Sequence, residues 1–355
     1  MTEDDAGHGL HERGTELAEL ARLVARACAG EGALVLIEGA AGIGKSSLVQ
    51  AGRRLAIEAG MAVLDGCGAG IEREFPFGVA RQLFEPALAH LAATERDELL
   101  CGAAALAAPL VWDAPVATAA PAGDPAFPVL HGLYWLVAGL IARRPLALCV
   151  DDAHWGDSGS LRFLAYLARR VSGLPLLVVV ATRTAEPSTD PRSLQALSDE
   201  ALVVLRPLPL SEQAAGEVVA EVLGAGDEAL ARACHEASGG NPFLLRELCA
   251  TLALEHVRSP SAGAERVRTL GPATVARAAL TRLARLDRAA PELARAVAVL
   301  GDRAAVADAA AVAGLDLEVT ERLADGLAGA EILQDGRPLA FVHPIVRQAI
   351  LGDLP

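Results

Sequence analysis

The chain has 355 residues, 52% of them hydrophobic and only 3% aromatic, with a net charge of −14. This describes a globular, helix-rich protein of two or three domains. The acidic balance excludes a sequence-independent nucleic-acid surface or an anionic membrane as direct partner of the chain as a whole.

Residues 15–29 carry apolar side chains at helical spacing and predict an amphipathic helix. Ala33-Leu34-Val35-Leu36-Ile37 follows as a continuously apolar strand, the kind that a parallel sheet covers on both faces. A helix is predicted over 45–59, then a second strand over 61–64 that Asp65-Gly66 should end. Residues 79–107 read as helical, and five prolines between Pro109 and Pro128 mark an irregular connection.

Further on, a helix over 129–142 leads to a strand at 146–150, and a helix over 160–171 leads to a strand at 175–181; a last strand at 202–205 ends the alternation. Strands alternating with helices predict an α/β domain of three layers with a mainly parallel sheet, over residues 1–207. After Pro207-Leu208-Pro209 the pattern turns helical, giving an expected helical domain at 208–262. In the remaining 263–355, short helices precede two apolar runs, 331–334 and 339–342, around Asp335-Gly336, a hairpin signal that suggests a winged-helix domain. No repeat at a fixed period is present.

The six cysteines are scattered without a CxxC pair, as in a reduced compartment, and exclude a zinc or disulfide framework. Met1-Thr2-Glu3-Asp4-Asp5 is no secretory signal. The longest apolar stretches, 103–112 and 174–182, fall short of the roughly 20 residues that span a bilayer, so a cytoplasmic location away from membranes is expected.

Of the 31 basic residues 30 are Arg and one is Lys, Lys45; Asn241 is the single asparagine. Proteins ordinarily use Lys freely. A drift towards Ala, Gly, Arg and Leu has stripped Lys and Asn from positions that tolerate a substitute, which makes the two survivors candidates for positions that do not.

Lys45 lies in Gly39-Ala40-Ala41-Gly42-Ile43-Gly44-Lys45-Ser46, a GxxxxGK[ST] loop between a predicted strand and a predicted helix. Its glycines allow backbone angles that aim successive N–H groups at a phosphate, and the helix N-terminus adds positive potential. Lys45 would neutralise the β- and γ-phosphates, Ser46 would ligate Mg2+, and Ser47 completes the binding segment. Arginine replaces such a lysine poorly, because its planar fork is larger and points its donors differently.

The apolar strand 146–150 ends in Asp151-Asp152. There Asp151 would hold Mg2+ through water and Asp152 would orient or deprotonate the attacking water. Paired acids after a strand also serve as turn or capping residues. The strand before Arg183 ends in Thr182-Arg183; if it lies between the other two, Arg183 would face the γ-phosphate.

A GTPase needs an NKxD-type motif, yet the only Asn is followed by Pro and the only Lys is in the loop, so GTP specificity of that type is excluded. The stretch Ser238-Gly239-Gly240-Asn241 lies too far after Asp152 to be an ABC signature.

These segments together resemble the STAND-type ATPases, and within them the large ATP-binding regulators of the LuxR type (LAL). The resemblance is carried by Leu10-His11-Glu12-Arg13, the P-loop, Glu74-Phe75-Pro76-Phe77-Gly78, Asp151-Asp152-Ala153-His154-Trp155-Gly156-Asp157-Ser158 and Ala181-Thr182-Arg183. Gly239-Gly240-Asn241-Pro242-Phe243-Leu244-Leu245 and Phe341-Val342-His343-Pro344 complete it.

It implies a P-loop NTPase domain, a helical lid domain and a winged-helix domain around one adenine nucleotide, ATP or ADP, with Arg13 near the base, Pro242 against adenine and His343 on the β-phosphate of ADP. Asn241 would also start the lid helix, with Pro242 in its first turn. Two features depart from the pattern: Glu12 and Gly14 flank Arg13 where many relatives have Gly and Glu, and Asp152 stands where many fast ATPases have Glu. The second departure suggests slow turnover.

Such regulators continue into helical repeats and a DNA-binding domain, so the chain is expected to be part of a longer protein. DNA would be met only through that further domain, since residues 270–355 hold nine Arg against eleven Asp and Glu. The resemblance further implies self-association on activation and a small-molecule or protein inducer. Rival expectations are an AAA-type ring-forming ATPase and a nucleotide-stabilised interaction scaffold.

Overall fold

The computed structural model describes residues 10–69, 75–112, 124, 126–183, 188, 190–224, 227–255, 260–269, 280, 283, 286–301, 303–330, 332–334, 336–341 and 344–352. The chain divides into two compact units. One holds Arg13–Ala40 and Lys45–Pro207; the other holds Met1–Glu12, Ala41–Gly44 and Leu208–Pro355.

The first unit is an α/β fold. Its strands are β1 (Ala33–Gly39), β2 (Ala62–Cys67), β3 (Leu146–Asp151), β4 (Leu176–Arg183) and β5 (Val203–Leu205). Among the described residues they form one five-stranded sheet in the order β2-β3-β4-β1-β5, every pair parallel. Successive side chains on a strand point to opposite faces, and both faces are apolar here. Leu34, Leu36, Leu148, Val150, Val178 and Val180 join Phe84, Leu133 and Phe163 in one core. Val35, Ile37, Cys149, Val179 and Ala181 join Leu20, Leu23 and Leu48 in the other. Continuously apolar strands are the direct consequence of a sheet buried on both sides.

The helices of the first core lie at Gly78–Ala89 (α3), Phe127–Ile141 (α6) and Ser158–Ala168 (α7); those of the second are Gly14–Cys28 (α1) and Lys45–Glu58 (α2). Between α3 and α6 the region expected to be helical over 79–107 is broken into Ala93–Leu99 (α4), a 3-10 turn at Gly102–Leu106 and a short α5 at Ala108–Val111. Gly102 at φ 58° sits at the second break, in the left-handed region that glycine enters freely.

Two strand expectations need correction. Asp65-Gly66 does not end β2: Asp65 pairs with Cys149 and Gly66 with Val150. Gly66 is there for packing, since an added Cβ would lie 3.0 Å from a methyl of Val79. Likewise β4 continues through Thr182 and Arg183, paired with Glu38 and Gly39 of β1. A helix before β5, Pro191–Glu200 (α8), was not foreseen; Asp190 caps it by accepting from the Ser193 N–H, with Pro191 at its first position.

Among its described residues the second unit holds two main apolar cores. Helices Glu212–Leu223 (α9), Glu228–Ser238 (α10), Pro242–Leu254 (α11) and Pro260–Thr269 (α12) share one of them, built on Val218, Cys234, Leu245, Ala264 and Val267. The expected domain limit at residue 262 falls inside α12. Helices Ala290–Leu300 (α13), Val306–Ala313 (α14), Leu317–Gly329 (α15) and Pro344–Gly352 (α16) surround the other, with Leu293, Val297, Leu327 and Phe341 in it.

Among the described residues of the two expected strands, 331–334 and 339–342, Leu333 pairs with Phe341 in an isolated antiparallel bridge, and Leu339 pairs in another with Ala304, outside both runs. Pro338 has no N–H to extend the ladder. Asp335 of the expected turn lies outside the described residues. No helix among the described residues is long and apolar enough to cross a membrane.

Candidate nucleotide site

The strand order puts β4 between β1 and β3, which is the condition under which Arg183 could serve a phosphate held at the end of β1. In a parallel sheet all C-terminal strand ends share one edge, where ligands of open α/β folds bind. Here Gly39, Asp151 and Arg183 end β1, β3 and β4, and Gly39 pairs directly with Arg183.

The loop leaving β1 has Gly42 at φ 77° and Gly44 at φ 100°, conformations that disfavour any L side chain. An added Cβ at Gly44 would meet nothing within 4 Å, so backbone angle and not space selects glycine there. Lys45 opens α2 and is 5% exposed, with its Nζ donating to Ala40 O at 2.9 Å. Ile43 is buried; Gly39, Ala41, Gly42, Gly44 and Ser46 are half-buried; Ala40 and Ser47 are exposed.

On β3, Asp151 accepts at Oδ1 from the Asp152 N–H (2.8 Å), and its carbonyl accepts from the Gly68 N–H (2.9 Å). Asp152 is held in the left-handed region at φ 45°, a conformation that aspartate tolerates better than most residues. Gly68 makes that possible: an added Cβ would lie 2.2 Å from Asp152 O.

Asp152 is the centre of a four-residue cluster. Arg183 Nε lies 3.5 Å from Asp152 Oδ1, and the guanidinium carbon sits 4.6 Å from the Trp155 ring centroid. His154, fully buried, has Nδ1 3.8 Å from the same carboxylate oxygen and its ring 4.9 Å from that of Trp155. The arginine aimed by sequence at the γ-phosphate therefore rests on the second acid, over an indole face. His154 and Trp155 belong to the Asp151–Ser158 segment, but Trp155, in the 3-10 turn after β3, meets Arg183 at the end of the neighbouring β4, a contact between residues far apart in sequence that leaves no local signal.

Asp157 has a structural task. Its carboxylate accepts from the N–H groups of Phe77 (2.6 Å), Val79 (3.2 Å) and Ser160 (2.9 Å), while Ser160 Oγ accepts from the Ala80 N–H (2.9 Å). One buried carboxylate thus starts both α3 and α7 and joins two of the motif segments, Phe75–Gly78 and Asp157–Ser158. An aspartate just before a helical run was the available sign.

Arg13 is 3% exposed at the start of α1. In the other unit, Asn241 precedes α11 with its Oδ1 accepting from the N–H groups of Phe243 (3.1 Å) and Leu244 (3.3 Å), and half-buried Pro242 occupies the first helical position. Within that unit Asn241 Nδ2 also donates to Ala41 O of the loop at 2.8 Å. Glu12 accepts from Ser211 N–H (2.8 Å) and Oγ (2.5 Å), and His11 faces Glu217 (3.2 Å) and Glu221 (3.0 Å), which fastens residues 11 and 12 to α9. His343 and Glu74 lie outside the described residues.

The donor set fits a Mg-nucleotide. It offers backbone amides, one compact cation, a serine hydroxyl and a carboxylate at the C-terminal edge of the sheet. Among the described residues no group of three or more His, Cys, Asp or Glu could hold a metal; a magnesium carried by phosphate oxygens needs only a serine and an outer carboxylate.

Comparison with known proteins agrees with this geometry. Residues 10–179 match the family model described as "AAA ATPase domain", and this part of the chain is an AAA-type P-loop ATPase domain. No curated protein matches the sequence. Among solved structures, a STAND protein with a tetratricopeptide repeat sensor from Pyrococcus horikoshii is 14% identical over 97% of this chain and 42% of its own, with a TM-score of 0.51. Aeropyrum pernix ORC1, solved in complex with DNA, is 17% identical over 99% of this chain and 95% of its own (TM-score 0.47). The RuvB Holliday junction branch migration motor of Thermotoga maritima is 14% identical over 97% and 96% (TM-score 0.41). At 14% identity the likeness to the STAND protein is one of fold.

Proposed function

We propose that the chain is the ATP/ADP-binding switch module of a bacterial LuxR-type transcriptional activator. The observation that carries the reading is the meeting of Gly39, Asp151 and Arg183 at one sheet edge, with buried Lys45 one loop away. Lys45 and the loop amides hold the phosphates, Ser46 and Asp151 hold Mg2+, Asp152 prepares the attacking water and Arg183 reports on the γ-phosphate. Mg2+, when bound there, would supply neutralisation of phosphate charge.

Two features favour slow turnover. Asp152 is one methylene shorter than Glu, and its carboxylate is engaged by Arg183 at 3.5 Å. By resemblance Arg13 and Pro242 serve the base, and His343, in a winged-helix domain, holds the β-phosphate of ADP. ADP then keeps the closed form, and exchange for ATP, helped by an inducer, opens the module and promotes self-association. A nucleotide shifts that equilibrium only as far as it binds one form better.

Light scattering and small-angle scattering of the protein with ADP and with a slowly hydrolysed ATP analogue test this. The switch predicts a larger, more extended species with the ATP analogue. Identical mass and shape in both states would leave a nucleotide-stabilised scaffold. The match of residues 10–179 to an AAA ATPase domain also favours a ring-forming ATPase; concentration-dependent hydrolysis of several turnovers per second, with rings, would establish that reading instead.

A further inference from the structure

We infer that Asn241 is a positioning residue for phosphate binding: one end of its side chain starts helix α11, and the other fixes how the phosphate loop's peptide planes face. The inference rests on the ATP-site reading above and deepens it.

Asn241 Nδ2 donates to Ala41 O at 2.8 Å, and the Phe243 N–H reaches Gly42 O at 3.3 Å. Two consecutive loop carbonyls are therefore turned towards the first residues of α11. A trans peptide is planar, so its N–H points opposite to its C=O. With the carbonyls of Ala41 and Gly42 drawn to this side, the N–H groups of Gly42 and Ile43 face the other way, as a phosphate cradle needs. A reversed plane would present the negative end of the peptide dipole to the phosphate.

The loop cannot guarantee this by itself. Gly42 and Gly44 both occupy the left-handed region, and glycine lets neighbouring planes turn at little cost. An outside partner has to set them. Asn241 is itself held from behind: Gly240, at φ 71°, would place an added Cβ 2.4 Å from Leu210 O, and its own carbonyl accepts from the Leu210 N–H at 2.7 Å.

The double task selects the residue type. Asp, Ser and Thr cap a helix as well as Asn does. Asp has no donor, and the shorter hydroxyl groups combine donor and acceptor in one atom. Asn alone among the good caps carries an amide donor beside its capping oxygen. This accounts for the survival of one asparagine in a chain that has replaced it everywhere else.

The full chain labelled with 15N-asparagine gives a single side-chain amide pair, because there is one asparagine. In the absence of nucleotide that pair should exchange with solvent at least tenfold more slowly than in a model peptide, and more slowly still with Mg-ADP. Asn241→Asp and Asn241→Ser keep a cap, so both, stripped of nucleotide, should melt within about 2 °C of the equally stripped parent protein, yet bind ADP at least tenfold more weakly by calorimetry. Exchange at the model-peptide rate, or parental ADP affinity in both variants, overturns the inference. If the parent protein takes up no adenine nucleotide, the ATP-site reading fails, while the ligand-free exchange rate still decides whether the lock exists.

Discussion

At the second acid the Asp152 carboxylate is paired with the Arg183 guanidinium, which lies over the Trp155 indole, and this limits what Asp152 can do. The Arg183 guanidinium is 4.6 Å from the Trp155 ring centre, a cation–π contact of about 0.5–2 kcal/mol that fixes the plane of the fork. Trp155→Leu should lower the hydrolysis rate about three- to tenfold while ATP affinity stays within about twofold, and Trp155→Phe should recover much of the rate. Single-turnover hydrolysis alongside calorimetry separates the two quantities. A parallel loss of rate and affinity would make the ring merely structural. At this scale the sequence is informative where chemistry sits at a motif spacing: Lys45, Ser46, Asp151 and Arg183 are all found at strand or helix ends. It is silent where a side chain meets a partner from another strand, as Trp155 does, because no local pattern encodes that contact.

At the scale of elements, Asp157 connects α3 to α7 through three backbone N–H groups. Asp157→Ala leaves these donors without their acceptor in a buried place. The cost should be about 3 kcal/mol or more, from a lost cap of about 1 kcal/mol and buried donors at about 1–3 kcal/mol each. Urea unfolding at constant m-value measures it, and a change under about 1 kcal/mol would show that other groups take over the three donors. The sheet strands were legible because both faces are buried and each strand reads as an apolar run. The limits of β2 and β4 were not. Asp65-Gly66 has the composition of a turn, but Gly66 is chosen by the closeness of Val79 and Leu83, a tertiary cause. Of the apolar runs around Gly336, the described residues show isolated bridges, with Pro338, which has no N–H to donate, directly before the second run.

Over the whole molecule, the order β2-β3-β4-β1-β5 converts separate motifs into one site. Sequence order alone leaves the neighbours of β1 open, so the position of Arg183 beside the phosphate loop was conditional on topology. The lone lysine and lone asparagine both end at that loop, Lys45 through Ala40 O and Asn241 through Ala41 O. On the proposed function this loop holds an adenine nucleotide as the ligand of a switch. That claim is tested most directly by denaturing freshly purified protein and identifying the released nucleotide, for the parent chain and for Lys45→Ala. The account predicts about one ADP per parent chain and none from Lys45→Ala, with the variant still folded. A parent chain that releases no nucleotide and takes none up from added ADP or ATP, or a Lys45→Ala chain that retains a full equivalent, would contradict it.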